Sequence, residues 1–184
     1  RRQRQMCIRD RILSNDKFPD FKALTDYIHG LGLKFGIYSS PGATTCGGHV
    51  GSYQHEEIDA RTWERWGVDY LKYDYCGYLD IEKDSKEETI QEPYIVMRNA
   101  LDKVKRDIVF CVGYGAPNVW NWAAEAGGNQ WRTTRDITDE WNVVTAIGTF
   151  QDVCADATAP GRNNDPDMLV VGKLGQGWGS KVHD

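Results

Sequence analysis

The stretch WGVDYLKYDYC, residues 66–76, decides the fold class of this 184-residue chain. Gly67 follows a helical pattern, and the stretch from Tyr70 to Tyr75 then predicts a short strand. Strands that are continuous apolar runs between helices are typical of βα units, in which a parallel sheet is buried on both faces. The stretch therefore predicts an α/β protein.

The same pattern recurs on both sides of this stretch. Predicted strands and helices alternate about five times, and no linker or internal repeat divides them. Neither a GxGxxG nor a Walker sequence is present, and the long polar, Trp-bearing loops all follow strands, which favours a (β/α)8 barrel over a doubly wound sheet. Strands are predicted at residues 33–38, 70–75, 108–112, 130–133 and 168–171, and helices near residues 20–30, 56–66, 94–104, 119–126 and 138–150.

Length and composition limit both the fold and the function. A complete (β/α)8 barrel takes about 250 residues, so the sequence predicts only part of one. No apolar run approaches the roughly 20 residues that span a bilayer. The net charge of −5 argues against nucleic acid as a partner, because phosphate binding needs a basic surface. Seven Trp, nine Tyr and five Phe suit a large core, a carbohydrate-type ligand surface, or both.

The first eleven residues, RRQRQMCIRDR, differ from the rest of the chain. They hold five Arg and one Asp, so residues 12–184 carry a net charge of −9. A basic arm for nucleic acid or membrane is one interpretation, and a signal peptide is excluded because no apolar segment is present. We favour a non-native leader that resembles translated sequencing-adapter read-through. The expected domains are this leader, residues 1–11, and a partial barrel, residues 12–184.

Lys72, Asp74 and Cys76 lie at the C-terminal end of the strand in the opening stretch. Because side chains alternate along a strand, these three share one face, whereas Tyr73 and Tyr75 share the other. A satisfied Lys–Asp ion pair is one interpretation, since buried charge is costly unless it is paired. We favour a functional one, in which the ammonium group keeps the Asp74 carboxylate ionised as a nucleophile.

Further acidic residues occur at the ends of later strands. Asp136 lies in WRTTRDI, residues 131–137, where capping of the following helix is as good an interpretation as catalysis. Asp165 and Asp167 flank Pro166, and one of them is expected to face the site while the other anchors the loop. Three acid-bearing strand ends together indicate an active site at the C-terminal face of a barrel.

Taken together, these residues resemble glycoside hydrolase family 27, the retaining α-galactosidases and α-N-acetylgalactosaminidases. The similarity runs in family order from about residue 18 to residue 172, and it implies barrel strands 3 to 7. The segments that carry it are GLKFGIYS (residues 32–39, third strand), GSYQHEE (51–57, the loop and helix after it), WGVDYLKYD (66–74, nucleophile strand), WRTTRDI (131–137, acid/base segment) and NDPDML (164–169, next strand).

The resemblance implies a two-step retaining mechanism with no metal or organic cofactor. Asp74 would attack the anomeric carbon to form a covalent glycosyl-enzyme, and Asp136 would protonate the leaving oxygen and then activate water. Such carboxyl groups lie about 5–5.5 Å apart, so the fold must bring the two Asp together. The resemblance implies that Lys72, Arg132 and Asp167 bind substrate, and Cys46 and Cys76 match positions that are joined by a disulfide in the family. Tyr38 is also expected to bind substrate, as is Trp131, because it stands at a strand end beside Arg132.

Some features depart from the family pattern. Arg135 stands where Gly usually precedes the acid/base Asp, and a second cation would favour the ionised form of a group that must begin protonated. Asn163 replaces a usual Trp, and residues 112–115 lack the usual Cys-Glu or Cys-Gln beside the sugar C2 substituent. Three alternatives therefore stay open: an α-N-acetylgalactosaminidase, a β-L-arabinopyranosidase, and a degenerate barrel that only binds carbohydrate.

The expected partner is an α-linked galactose-containing oligosaccharide or glycoconjugate, with no nucleic acid and no membrane. His49 and His55 lack metal-ligand spacing, and Trp120, Trp122 and Trp141 are expected to pack helices against the barrel wall. A disulfide would favour a secreted or periplasmic enzyme, because such bonds are rare in the cytosol. The resemblance implies that sugar-binding residues lie upstream of this chain, so we expect the chain alone to have no useful activity.

Overall fold

The computed structural model describes residues 15–83, 86–115, 117–138 and 140–167. The chain divides into two compact units between Cys111 and Val112, and helices alternate with short strands along both. The first unit contains α1 (Phe21–Gly30), β1 (Gly36–Ser39), α2 (Glu56–Trp66), β2 (Tyr70–Tyr73), α3 (Glu87–Leu101) and β3 (Val109–Val112), whose last residue lies just beyond the boundary. The second contains a 3-10 turn (Val119–Asn121), β4 (Gln130–Arg132), α4 (Trp141–Phe150), a 3-10 helix (Gln151–Ala157) and β5 (Asn163–Asp165).

The strands of the first unit lie side by side in the sheet in the order β1-β2-β3. β1 and β2 are parallel, and their register places Tyr38 opposite Lys72 and Ser39 opposite Tyr73. The ends of α1 and α2 match the sequence signals for helix boundaries. The Asp20 side chain accepts a hydrogen bond from the N–H of Ala23 and caps α1, and Gly67 ends α2 in the left-handed conformation that glycine adopts without strain.

An aromatic cluster fills the core of the first unit behind β2. Tyr73, Tyr94 and Phe110 are fully buried, and the Tyr73 and Tyr94 rings meet edge to face with their centroids 6.0 Å apart. Such ring pairs stabilise a fold by about 0.5–1.5 kcal/mol beyond the area they bury. Tyr73 is the last residue of β2, so the cluster supports the residues that follow this strand.

The second unit is built on β4 and β5, which are parallel and pair Trp131 with Asn164. Main-chain hydrogen bonds continue the ladder beyond β4, because the N–H of Thr133 donates to the carbonyl of Asp165 at 3.0 Å. The Trp131 indole N–H donates to Asn164 Oδ1 at 2.7 Å. Side-chain and main-chain bonds thus fix the register of these two strands.

Three predicted elements differ from the observed ones. β1 begins at Gly36 rather than at residue 33. It was predicted to be buried, but it is largely exposed, since no described strand pairs with its outer edge. The helix predicted at residues 119–126 is a 3-10 turn followed by hydrogen-bonded turns, because Asn118 enters it with a positive φ and Gly127 also has one. β5 was not predicted, and the strand predicted at residues 168–171 lies outside the described residues, as does the leader at residues 1–11.

No helix in the described part of the chain is long and apolar enough to span a bilayer. The β-strands whose pairing is shown in each unit are parallel, and a helix lies between β1 and β2, between β2 and β3, and between β4 and β5. The α/β class predicted from the opening stretch is therefore confirmed.

Candidate active site

Asp74, the predicted nucleophile, follows the last residue of β2 and is fixed by four hydrogen bonds. Its N–H donates to the carbonyl of Ser39 at 2.9 Å, and its own carbonyl accepts from the Tyr94 hydroxyl at 3.4 Å. The carboxylate Oδ1 accepts from the N–H of Tyr75 at 2.8 Å, and Oδ2 accepts from the Tyr38 hydroxyl at 2.6 Å. Both oxygens are therefore oriented, and the side chain keeps contact with solvent.

Lys72 and Tyr38 lie on neighbouring strands beside this carboxylate. They are register partners across β1 and β2, and side chains two residues apart on a strand point to the same face, so Lys72 shares the face of Asp74. The burial of β2 alternates as the sequence predicted, with Leu71 and Tyr73 buried and Lys72 partly exposed. The sequence analysis predicts that Tyr38 binds substrate. In the structure, its hydroxyl also donates a hydrogen bond to the Asp74 carboxylate.

The disulfide predicted between Cys46 and Cys76 is confirmed. It joins the loop after β1 to the loop after β2, close to Asp74, and the Tyr38 hydroxyl lies 3.6 Å from Cys76 Sγ. Two glycines pack these loops together at the main-chain level. A Cβ atom on Gly42 would lie 2.4 Å from the carbonyl oxygen of Cys76, and one on Gly77 would lie 2.6 Å from that of Thr44. Sequence reasoning missed these glycines, although their position in loops after strands was a usable signal.

Asp136, the predicted acid/base residue, belongs to the second unit and is bound by Arg132. The Arg132 Nη2 donates to Asp136 Oδ1 at 2.5 Å, while Arg132 Nε donates to the carbonyl of Thr134 at 3.0 Å and lies 3.6 Å from Asp167 Oδ1. The arginine is buried, whereas Asp136 keeps 59% of its side chain exposed. A rigid cation thus holds one oxygen of a carboxyl group that faces solvent.

Two alternatives for this segment are settled by the geometry. Asp136 does not cap α4, because Glu140 occupies the N-cap position and makes no side-chain capping bond. Arg135 is exposed, and the shown ion pair of Asp136 is with Arg132, the residue four positions before it. The departure at residue 135 therefore adds a solvent-exposed cation and leaves that pair in place.

Asp167 lies beneath the acid/base segment. Only 3% of its side chain is exposed, its Oδ2 accepts from the N–H of Ile137 at 3.0 Å, and its φ of 66° is unusual for a residue other than glycine. The geometry supports a role in positioning residues 132–137, while a direct contact with substrate stays a prediction. Gly115 makes a similar contribution that sequence reasoning missed, because a Cβ atom there would lie 2.2 Å from the carbonyl oxygen of Thr134 and 2.8 Å from Arg132 Nε.

Predictions for two of the tryptophans need correction. Trp131 is fully buried and its indole N–H is bound to Asn164, so the ring does not offer the sugar-binding surface that was predicted. Trp141 was expected to pack against the sheet but is 69% exposed, because it stands on the first turn of α4. Trp120 packs edge to face on Phe150 at 5.5 Å and Trp122 is buried, in accord with the packing role.

Comparison with known proteins gives a consistent result. The family model described as alpha galactosidase A matches residues 3–183. An α-galactosidase of Cyamopsis tetragonoloba is 46% identical over 163 residues, which cover 86% of this chain and 37% of that protein. Alpha-galactosidase A of Cellvibrio japonicus is 40% identical over 168 residues, which cover 84% of this chain and 40% of that protein.

Among solved structures, alpha-galactosidase I from Mortierella vinacea matches with a TM-score of 0.76 and 36% identity. The match covers 83% of this chain and 43% of that one, so the chain spans less than half the length of the relatives that it matches. The predicted fold, part of a (β/α)8 barrel of the α/β class, is confirmed by this match.

Proposed function

Because this chain belongs to glycoside hydrolase family 27, the α-galactosidase A family, we propose that it carries the catalytic residues of a retaining glycosidase that removes terminal α-linked galactose. The observation that supports this most strongly is Asp74, a partly exposed carboxylate with both oxygens oriented by hydrogen bonds at the end of β2. A carboxylate held in this way is prepared for attack on a carbon atom, since little reorganisation is needed when it reacts.

In the first step, Asp74 attacks the anomeric carbon while the bond to the leaving oxygen breaks. Asp136 gives its proton to that oxygen, and a covalent glycosyl-enzyme forms. In the second step, Asp136 removes a proton from water, the water oxygen attacks the anomeric carbon, and Asp74 leaves as a carboxylate. The α configuration is retained because the carbon is inverted twice.

Arg132 and Lys72 have supporting roles in this proposal. Arg132 fixes Oδ1 of Asp136, so the proton would be exchanged at Oδ2, and the exposure of the side chain allows water to reach it. Lys72 lies on the face of β2 that carries Asp74, where an ammonium group would bind a sugar hydroxyl and favour the ionised nucleophile. The proposed substrate is an α-linked galactose-containing oligosaccharide or glycoconjugate, in line with the names of the relatives.

The test is turnover of p-nitrophenyl α-galactoside by the whole protein that contains this chain. Asp74→Asn is expected to lower kcat by at least about 10⁴-fold, since it removes the nucleophile. Asp136→Ala is expected to slow turnover, and added azide should restore the rate while forming a galactosyl azide of α configuration, because azide displaces Asp74 from the glycosyl-enzyme with a second inversion. Asp80→Asn is a suitable control, because Asp80 is an exposed acid in the loop after β2. Retained activity in Asp74→Asn would remove the nucleophile assignment, and an inactive wild-type protein would support the degenerate-barrel alternative.

We also propose that the enzyme is exported, as a secreted or periplasmic protein. The Cys46–Cys76 disulfide supports this, since such bonds persist in oxidising compartments. Fractionation of the producing cells, followed by thiol alkylation without reductant, would test the proposal. An active protein found in the cytosol with both cysteines alkylated would contradict it.

A further inference from the structure

The end of β2 carries a second arrangement of side chains, which combines Asp74 with two cysteines that retaining catalysis does not use. Within the described part of the chain, Cys46, Asp74 and Cys76 form the group of three metal-ligating side chains whose ligand atoms all lie within 4.8 Å of one another. Thiolate and carboxylate are both ligands of zinc-like cations, and ligand atoms around a tetrahedral zinc lie about 3.5–3.8 Å apart. In the oxidised protein the two sulfur atoms are bonded to each other and cannot serve as thiolates.

We propose that reduction of the Cys46–Cys76 disulfide creates a site for one zinc-like cation, Zn²⁺ or Cd²⁺, with Cys46 Sγ, Cys76 Sγ and an Asp74 oxygen as ligands. A dithiol reductant supplies two electrons and two protons, so the S–S bond breaks, two thiols form and the reductant becomes a disulfide. The cation then displaces the two thiol protons into solvent. A water molecule or the Tyr38 hydroxyl, which lies 2.6 Å from Asp74 Oδ2, completes four-coordination.

Contacts other than the disulfide keep the ligands together after reduction. The loop after β1 is closed on itself by main-chain bonds, among them that from Ser52 to Ser40 at 2.7 Å. It also packs on the loop after β2 so closely that Gly42 lies against the carbonyl of Cys76 and Gly77 lies against that of Thr44. The Cα atoms of Cys46 and Cys76 are 5.1 Å apart. Reduction therefore breaks one bond within a junction that main-chain packing also maintains.

The cation can reach this site from solvent. Cys46 is exposed, and Asp74 and Cys76 are partly exposed. Two further cysteines lie in the described part of the chain, Cys111 and Cys154, and both are buried, so they do not compete for the cation. Cation binding would occupy the Asp74 carboxylate, which attacks the sugar. The cation therefore inhibits the reduced enzyme and leaves the activity of the oxidised enzyme unchanged. Only this consequence for activity rests on the proposed function.

Two samples of the whole protein are compared: one with the disulfide intact, and one reduced with a dithiol and then desalted in the absence of air. Cd²⁺ is titrated into each sample, and binding is recorded from the ultraviolet thiolate-to-cadmium charge-transfer band. The reduced wild type should bind one Cd²⁺ more than the reduced C46S/C76S variant, which keeps the other three cysteines, Cys7, Cys111 and Cys154. Asp74→Asn, which removes a charged ligand, should weaken this binding at least about tenfold. Galactosidase activity of the reduced wild type should fall at least tenfold with Cd²⁺ and return with EDTA.

Equal Cd²⁺ binding by the reduced wild type and the C46S/C76S variant overturns the proposal, as does an affinity that Asp74→Asn leaves unchanged. Circular dichroism checks that the reduced protein stays folded. If it unfolds, the C46H variant decides, because it cannot form the disulfide and offers an imidazole in place of one thiol. No Cd²⁺ binding by folded C46H then overturns the proposal. A protein that binds Cd²⁺ as expected but never hydrolyses galactosides supports the cation site and contradicts the proposed function alone.

Discussion

Replacing Asp69 with Asn is expected to destabilise the first unit in a way that depends on pH. Asp69 directly precedes β2, and 12% of its side chain is exposed. Its Oδ2 accepts from the N–H of Phe35 at 2.9 Å and contacts His29 Nε2 at 2.7 Å, while Oδ1 accepts from Arg106 Nη2 at 2.6 Å. One carboxylate thus joins α1, the start of β1 and the segment before β3.

The magnitude follows from the pKa of this carboxyl group. Partial burial alone would raise the pKa of Asp69, but the hydrogen bonds from Phe35, His29 and Arg106 outweigh burial and lower it from 3.8 to about 2. A difference of this size corresponds to about 2 kcal/mol of folding free energy at neutral pH. Because the folded pKa is lowered, the contribution is complete above about pH 4 and is lost as the pH falls toward 2.

The assay is urea unfolding of the wild type and Asp69→Asn, followed by tryptophan fluorescence at pH 7, 5 and 3. The difference in the free energy of unfolding should be about 2 kcal/mol at pH 7 and pH 5 and smaller at pH 3. Glu57→Gln is the matched control, since hydrogen bonding to Lys103 lowers the pKa of Glu57 too, but its side chain is 49% exposed and solvent screens the pair. Equal stability of the two proteins at pH 7, or a difference in stability that is the same at pH 3 as at pH 7, would refute the reasoning.

Three further predictions concern the second unit. Gly115→Ala places a methyl group 2.2 Å from the carbonyl oxygen of Thr134, which accepts the Arg132 Nε hydrogen bond, and 2.8 Å from Arg132 Nε itself. It should lower kcat on p-nitrophenyl α-galactoside by about 10- to 100-fold in the whole protein, through misplacement of that cation, and wild-type kcat would contradict this. Gly148→Ala, in α4 with open space around it, should raise the free energy of unfolding by about 0.5–1 kcal/mol in urea titrations and leave kcat unchanged. Trp141→Ala should change that free energy by less than about 0.5 kcal/mol because the ring is exposed, whereas Trp131→Ala should cost about 3–5 kcal/mol; equal effects of the two would show that burial is not the cause.

Local periodicity allowed the sequence to predict the end of β2. The alternation of Leu71 and Tyr73 with Lys72 and Asp74 has the period of a strand, and the observed burial follows it. The α/β class was predicted from another local feature, the repeated alternation of short apolar strands with helices along the chain. The pairing of Cys46 with Cys76 is not local, and it was predictable only because the chain resembles a known family.

What the sequence did not predict depends on contacts between distant segments. Trp131 was expected to contact sugar because it stands at a strand end beside Arg132, but its burial depends on Asn164, which is 33 residues away. β5 was missed because its residues are polar and its pairing uses main-chain bonds that leave no apolar pattern. The exposure of β1 could not be read from its apolar residues, because it depends on which strands lie beside it.

The two carboxylates of the proposed mechanism are held by different kinds of contact, and this difference suits their roles. Asp74 accepts hydrogen bonds from a hydroxyl on one oxygen and from a main-chain N–H on the other, and main-chain bonds fix its backbone. Such groups fix a nucleophile that must approach one carbon along one direction. Asp136 is held at one oxygen by the buried Arg132 and is otherwise open to solvent. A residue that gives a proton to a leaving oxygen and then takes one from water needs that access, and the arginine supplies orientation without closing the path.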